Sequence, residues 1–291
     1  MTRLWYILLM LMFILPTLLF SRATVISLLF SDLFSLWLLL EVSTFFLVSI
    51  SFIHISQSTN SIKVLVIQTT SASFLIWGLV SQQPTWLILG LIIKLGIAPF
   101  SFWWFRVLPS SSLSFLFLFR TLYKIPSILF LFQLALERSL VLIVAALVTI
   151  LLGSLGGVYS TLPVLLVIWS SLMHTGWIII VALLSINTFL SYLIIYFFTS
   201  IPLYTYLHYT SSTPSYTSIL LHRGSSSMII TVIILLLSSI PPTPTFFLKW
   251  WSLKLISQYS VLFAVLILVI SSVRLLWYLV WSYQNSLRSS F

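Results

Sequence analysis

The sequence predicts an all-α polytopic membrane protein, and three observations support this fold class. Hydrophobic residues make up 60% of the 291 residues, and the mean hydropathy is +1.20. A soluble globule could not cover so apolar a chain with polar surface. Charged residues account for only 5% of the chain, and the apolar runs lack the alternation typical of barrel strands. The spans are therefore expected to be helices, which satisfy their own backbone hydrogen bonds in lipid.

The apolar runs predict about ten transmembrane helices, at about 20 residues for each crossing. The expected centres are Met10, Glu41, Ser71, Lys94, Lys124, Val148, His174, Leu193, Ile234 and Leu266. Residues 1–291 are expected to form a single transmembrane domain, with Met1 to Ala23 retained as a first helix instead of being cleaved as a signal. The longest extramembrane loop is expected at residues 211–227, which are rich in Ser and Thr.

The net charge of +10 does not indicate a nucleic-acid partner. Most basic residues stand singly at the predicted helix ends, which is typical of topology signals and of contacts with anionic lipids such as cardiolipin. The chain has no cysteine. This excludes disulfides, thiolate iron–sulfur ligation and cysteine-based zinc sites within it.

Four ionisable side chains lie near the middle of long apolar stretches: Glu41, Lys94, Lys124 and Lys249. A charge at the bilayer centre costs roughly 2.5 to 3.5 kcal/mol even on a lenient insertion scale, so such residues indicate a proton or ion route. A lysine in a low-dielectric site loses the hydration of its charged form and can exchange a proton near neutral pH, whereas a nearby carboxylate favours the charged form. We therefore expect Glu41 and Lys94 to form a coupled pair.

Proline stands close to lysine in two of the apolar segments. One segment carries Lys94 and Pro99, and the other carries Pro241, Pro244 and Lys249. Proline removes a backbone donor and displaces the carbonyl that it clashes with, so both segments are expected to be discontinuous helices. Paired interruptions of this kind indicate the ion path of a transporter with inverted repeats. An ordinary proline kink is the alternative, but a kink does not need a buried ammonium.

Lys124 and His174 are the remaining candidate carriers. Lys124 follows Arg120 by four residues, which places both on one face of a continuous helix, and Pro126 is expected to bend that helix. His174 lies at the centre of its predicted span. Imidazole titrates close to neutral pH, so this side chain could relay protons, although a hydrogen bond to a backbone carbonyl would also explain it.

Short motifs in a fixed order connect these residues to a known family. They are Leu40-Glu41, Ile62-Lys63 through Gln68 to Ser73, Lys94 to Phe100, Tyr123 to Pro126, Gly156-Gly157, Ser170 to Trp177, and Pro241-Pro242 followed by Lys249-Trp250. With this set the chain resembles the chain 2 family of mitochondrial NADH:ubiquinone oxidoreductase, respiratory complex I. Members of that family are proton-pumping membrane subunits related to cation/proton antiporters.

The resemblance implies a role for each candidate. Glu41 and Lys94 correspond to the family's acid and lysine pair, Lys124 to its connecting lysine, His174 to its relay histidine and Lys249 to its terminal lysine. It also implies that this chain carries no cofactor, with NADH, flavin, iron–sulfur clusters and ubiquinone bound by other subunits. The implied setting is multi-pass, in the mitochondrial inner membrane, beside other complex I membrane-arm subunits that include antiporter-like ones.

Some positions depart from the family pattern. Ser101 and Arg106 replace a histidine and an acid, Val164 and Leu165 replace a basic pair, and the chain is expected to end one helix early. Two other functions stay open, a freestanding cation/proton antiporter and a structural spacer. The single mid-membrane acid disfavours a cation cage, because hard cations take several oxygen ligands. The central position of the charges disfavours the spacer.

Overall fold

A computed structural model describes residues 33–54, 58–134, 139–158, 160, 163–211, 241 and 243–290, and every regular element in this part is helical. In chain order the helices are α1 Leu33–His54, α2 Ser58–Ser81, α3 Pro84–Leu95, α4 Phe102–Val107, α5 Leu113–Arg120, α6 Lys124–Gln133, α7 Leu140–Val158, α8 Pro163–Leu184, α9 Ile186–Ser211, α10 Pro244–Tyr259 and α11 Val261–Ser290. A 3₁₀ turn, Leu108–Ser110, follows α4.

Six described segments are long and apolar enough to cross a membrane, judged by length and composition. The expectation of an all-helical multi-pass membrane protein is therefore confirmed. The spans expected around Met10 and Ile234 lie outside the described residues, as does the loop expected at 211–227 apart from its first residue. The predicted number of spans and the inverted repeats stay predictions.

The chain divides into two compact units after Ala145. In the first unit, α1 packs on α2, α5 and α6, α2 packs on α3 and α4, and α3 packs on α6. Leucines from these helices, including Leu40, Leu91 and Leu95, are almost completely buried. Because these helices are apolar on most sides, they can pack around a polar side chain of α3 and bury it.

The first predicted discontinuous helix is present, between α3 and α4. Gly96 ends α3 in the left-handed region, with φ 63° and ψ 39°. The Ile97 N–H donates to the Ile92 carbonyl at 3.0 Å and the Gly96 N–H to the Ile93 carbonyl at 3.1 Å, which is the Schellman pattern of a glycine-terminated helix. The Ala98–Pro99 peptide bond is cis. The helix therefore ends at Leu95, one residue after Lys94, and the chain becomes helical again at α4.

A further interruption lies between α5 and α6, where the sequence predicts only a bend. Pro126 has no N–H for the Leu122 carbonyl, and that carbonyl accepts instead from the Ile125 N–H at 3.2 Å. A proline ring disturbs the turn before it, so the break falls at residues 121–123. Arg120 and Lys124 consequently belong to different helices, and the expectation that they share one face of a continuous helix is wrong.

In the second unit, α8 packs on α9 and α10, α9 packs on α10, and α10 packs on α11. The most apolar stretch of α8 is 83% buried, so this helix lies in the protein interior. Two glycines bring α7 close to α8. A Cβ at Gly153 would lie 2.9 Å from the Met173 Cβ, and one at Gly176 would lie 2.6 Å from the Thr149 hydroxyl oxygen. Small residues let membrane helices approach in this way.

The second predicted discontinuous helix is described only on one side. Thr243 precedes α10, which starts at Pro244 and carries Lys249 in its second turn. A proline in the first turn suits a helix start, because the N–H that it lacks has no partner there. Residues 212–240 lie outside the described part, so the interruption itself stays a prediction.

Candidate functional site

Glu41 and Lys94 form an ion pair inside the first unit. Lys94 Nζ on α3 lies 2.8 Å from Glu41 Oε1 on α1, and the two side chains are 0% and 26% exposed. The Thr44 hydroxyl donates to the Glu41 backbone carbonyl at 2.8 Å and lies 3.4 Å from Glu41 Oε2. The short hydrogen bond between the Lys94 ammonium and the Glu41 carboxylate is charge-assisted, and such bonds are among the stronger ones in proteins. The structure therefore brings together the two residues that the sequence analysis pairs.

The Tyr123 hydroxyl contacts both the backbone of Lys94 and the side chain of Gln68. The Tyr123 hydroxyl lies 2.9 Å from the Lys94 carbonyl oxygen and 2.6 Å from Gln68 Oε1, and it is buried with both partners. A hydroxyl has one proton to donate and an amide can face it with either end. When the Gln68 side-chain amide is oriented so that Nε2 donates to the Tyr123 hydroxyl, that hydroxyl can donate to the Lys94 carbonyl. The amide and the carbonyl then both have a hydrogen-bond partner. Tyr123 thereby fixes the backbone just before the break.

Replacing Tyr123 with phenylalanine is expected to destabilise the protein by about 1 to 3 kcal/mol, because two buried polar partners lose their hydrogen bond. The aromatic ring, stacked on Phe119 at a centroid distance of 4.7 Å, would stay in place. Thermal inactivation of the membrane-bound protein measures the effect, with the exposed Tyr259→Phe as control. An inactivation midpoint equal to that of the control would show that the hydroxyl does not hold the break.

Lys124 is the first residue of α6 and is 1% exposed. Its Nζ lies 5.0 Å from the ring centroid of Trp104 on α4. Arg120, the last residue of α5, is also buried. The ammonium group of Lys124 therefore lies in the protein interior against an aromatic face.

His174 lies in the middle of α8 and is 2% exposed. Its Nδ1 is 2.8 Å from the hydroxyl of Tyr192 on α9, and its ring centroid is 4.7 Å from that of Tyr196. The partner of Nδ1 is thus a side-chain hydroxyl, where the sequence analysis left a backbone carbonyl open. A buried imidazole bonded to a hydroxyl can gain or release a proton through either ring nitrogen.

Lys249 on α10 is 8% exposed, and its Nζ lies 5.8 Å from the ring centroid of Trp177 on α8. The Ser252 hydroxyl donates to the Lys249 carbonyl at 2.8 Å. Trp177 follows His174 by three residues, so both lie on neighbouring positions of one helix face. Lys249 consequently lies against the part of α8 that carries His174.

The structure thus places the five predicted residues in buried positions, apart from the partly exposed Glu41. Sequence reasoning missed their aromatic neighbours, which are Trp104, Tyr123, Trp177 and Tyr192. Aromatic residues make up 16% of the chain, so no single one of them stands out by type. Within the described ranges, no group of three His, Asp or Glu lies close enough to hold a metal ion.

Comparison with known proteins agrees with this architecture. The family described as NADH:quinone oxidoreductase/Mrp antiporter, TM, matches residues 6–274. The NADH-ubiquinone oxidoreductase chain 2 of Artemia franciscana is 30% identical over 244 residues, which cover 81% of this chain and 77% of the relative.

Two solved structures share the fold. Respiratory complex I from Thermus thermophilus contains a chain that aligns with a TM-score of 0.79 and 18% identity, over 96% of this chain and 70% of that one. The Mrp complex from Dietzia sp. DQ12-45-1b contains a chain with a TM-score of 0.77 and 17% identity, over 91% and 58%. With a family match over most of its length and a relative at 30% identity, the chain belongs to the NADH:quinone oxidoreductase/Mrp antiporter transmembrane family.

Proposed function

We propose that the chain is a proton-translocating membrane-arm subunit of respiratory complex I, equivalent to NADH-ubiquinone oxidoreductase chain 2. The relative with that name and the family match support this assignment. In this role the chain is one subunit of an enzyme that couples NADH oxidation and ubiquinone reduction to proton pumping. NADH, flavin, iron–sulfur clusters and ubiquinone then bind to other subunits.

The observation that carries the proposal is the buried Lys94–Glu41 pair beside the break in α3–α4. Removing two charges from water costs several kcal/mol for each ion, so a buried pair is weak support for stability and is better explained by a task. Intramembrane ionisable residues usually line an ion or proton path. Interrupted helices beside such a pair supply backbone groups and room for movement.

Each candidate residue takes a part in this proposal. Lys94 exchanges a proton under the control of Glu41, because movement of the carboxylate towards or away from the ammonium changes which protonation state is favoured. Lys124 in the first unit and His174 in the second carry the proton laterally, and Lys249 exchanges it at the terminal position. The energy comes from redox chemistry elsewhere, which reaches this chain electrostatically or through conformational change.

The proposed setting is the mitochondrial inner membrane, with residues 1–291 as one transmembrane domain built from inverted repeats. Neighbouring membrane-arm subunits, including antiporter-like ones, cover part of the apolar surface. Basic side chains at the helix ends bind anionic lipids such as cardiolipin. The exposed Arg106, in the last turn of α4, has a suitable position.

A freestanding cation/proton antiporter is the second candidate, and the Mrp neighbour of similar TM-score is compatible with it. The name of the sequence relative favours the first candidate, because both structural neighbours are below 20% identity and speak for the fold alone. Vesicles that contain the chain without other subunits distinguish the two. Cation-dependent proton exchange by the isolated chain would support the antiporter and contradict the complex I assignment.

The test of the proposed function is the ratio of protons pumped to NADH oxidised in membranes that carry Lys94→Met. Methionine keeps similar bulk but cannot hold a proton, so we expect pumping to fall or turnover to stop while the complex still assembles. The control is Lys254→Met, which removes an exposed lysine. A wild-type ratio and rate in Lys94→Met membranes would refute proton translocation through Lys94 and leave the spacer function.

A further inference from the structure

Two of the buried lysines face an indole ring. Lys124 Nζ lies 5.0 Å from the Trp104 centroid in the first unit, and Lys249 Nζ lies 5.8 Å from the Trp177 centroid in the second. Both rings are 0% exposed. An ammonium group within about 6 Å of a ring centroid is attracted by the negative face of the ring, most strongly by tryptophan and more when water is excluded.

We propose that Trp104 and Trp177 are positioning residues for proton transfer, because their indole rings hold the ammonium forms of Lys124 and Lys249 in the membrane interior. The inference rests on the proposed function and extends it to residues that carry no proton themselves. Among the described residues, each compact unit holds one such arrangement, so the inference does not depend on one chance contact.

The Trp104 ring is fixed by its surroundings and cannot follow the lysine. It makes edge contacts with Phe119 at 5.2 Å and with Trp103 at 6.1 Å between centroids. Its indole nitrogen packs directly against Gly96, where a Cβ would overlap it. Trp104 therefore touches the break beside Lys94 with one edge and presents its face to Lys124.

An indole ring and a carboxylate stabilise a proton-carrying lysine in different ways. The attraction acts on the charged ammonium and vanishes for the neutral amine, so the ring stabilises only the proton-loaded form. It is weaker than an ion pair in the same medium, and indole adds no titratable group at physiological pH. The ring itself carries no net charge, so it leaves no counter-charge when the lysine releases its proton.

Other charged groups surround Lys124 and have to be considered in any pH experiment. Helix α6 packs on α1 and α3, whose buried or partly buried ionisable side chains include Glu41 and Lys94. Arg120 precedes the turn that leads into α6, and Tyr123 is adjacent in sequence. None of these groups is altered when Trp104 is replaced, so a change in the pH profile can be attributed to the ring.

The experiment compares Trp104→Leu and Trp104→Phe in the assembled membrane complex, and it measures proton pumping as a function of pH. Without the ring, Lys124 is loaded only at lower pH, so the alkaline limb should move down by about one pH unit in the leucine variant, equal to about tenfold in proton occupancy. Phenylalanine keeps a weaker ring and should give a smaller shift. The control is Trp277→Leu, a buried tryptophan with no cation over its ring among the described residues.

A wild-type alkaline limb in both Trp104 variants, with pumping abolished by Lys124→Met, would overturn the inference and leave the proposed function intact. Should Trp104→Leu fail to assemble, the phenylalanine variant decides, because it keeps most of the packing volume. Wild-type pumping by Lys124→Met would instead refute the role of Lys124 and, with it, the inference.

Discussion

Glu41→Gln is expected to destabilise the protein by about 3 to 5 kcal/mol, because it leaves the fully buried Lys94 ammonium without its counter-charge. The carboxylate is 26% exposed and the ammonium 0%, so solvent can compensate little at the lysine. Glutamine keeps the size of the side chain, and the loss is therefore one of charge. The amount of assembled complex and its thermal inactivation midpoint measure the effect.

A double variant separates stability from proton chemistry at the same position. Glu41→Gln combined with Lys94→Met removes both charges, and replacing a buried pair by groups of similar volume is often neutral. We expect assembly to return to near the wild-type level while pumping stays lost. If the double variant is as unstable as Glu41→Gln alone, the ion pair does not explain the instability and the coupling between the two residues is disproved.

Gly96→Ala has the second large expected effect. A left-handed residue other than glycine costs roughly 1 to 2 kcal/mol, and Gly96 has φ 63°. In addition, the new Cβ would overlap the Trp104 indole nitrogen, and overpacking in a tight core typically costs about 1 to 3 kcal/mol more. We expect little assembled complex on native gels, whereas the exposed Ser73→Ala should assemble normally.

The two contributions at Gly96 can be distinguished with a second substitution. Trp104→Phe removes the indole nitrogen that the Cβ would meet, so Gly96→Ala in that background should recover part of the assembly and keep only the backbone penalty. Normal assembly of Gly96→Ala alone would contradict both the left-handed geometry and the direct contact with Trp104.

The fold class could be read from the sequence because composition constrains it strongly. So apolar a chain without strand alternation has to be helical in a membrane, and a break near Lys94 was expected from Pro99 in the same segment. The part that Gly96 plays in ending α3 was not expected. The exact position of a helix break within a segment was less predictable. Pro126 indicated a bend, but the disturbed turn lies before the proline, so the interruption at residues 121–123 separated Arg120 from Lys124.

The charged residues of the candidate site could be predicted because charged residues are rare in this chain. Its aromatic residues could not, because aromatic residues are common. Glu41 is the one acidic residue among those described, so its pairing with a buried lysine was a short inference. The choice of Trp104 and Trp177 among 12 tryptophans depends on how helices pack. Helices that are apolar on all sides leave no stripe in the sequence from which their contacts can be deduced.

The hydrogen bond between Tyr192 and His174 has a direction, and the direction depends on whether Nδ1 of the imidazole carries a proton. When Nδ1 carries no proton, the hydroxyl at 2.8 Å donates to it. An imidazolium donates from both nitrogens, so the hydroxyl then accepts and turns its own proton elsewhere. When the neutral ring carries its proton on Nε2, charging of His174 therefore reverses this hydrogen bond and turns the Tyr192 hydroxyl proton away. The infrared band of the tyrosine C–O group would therefore report a change in the charge of the histidine.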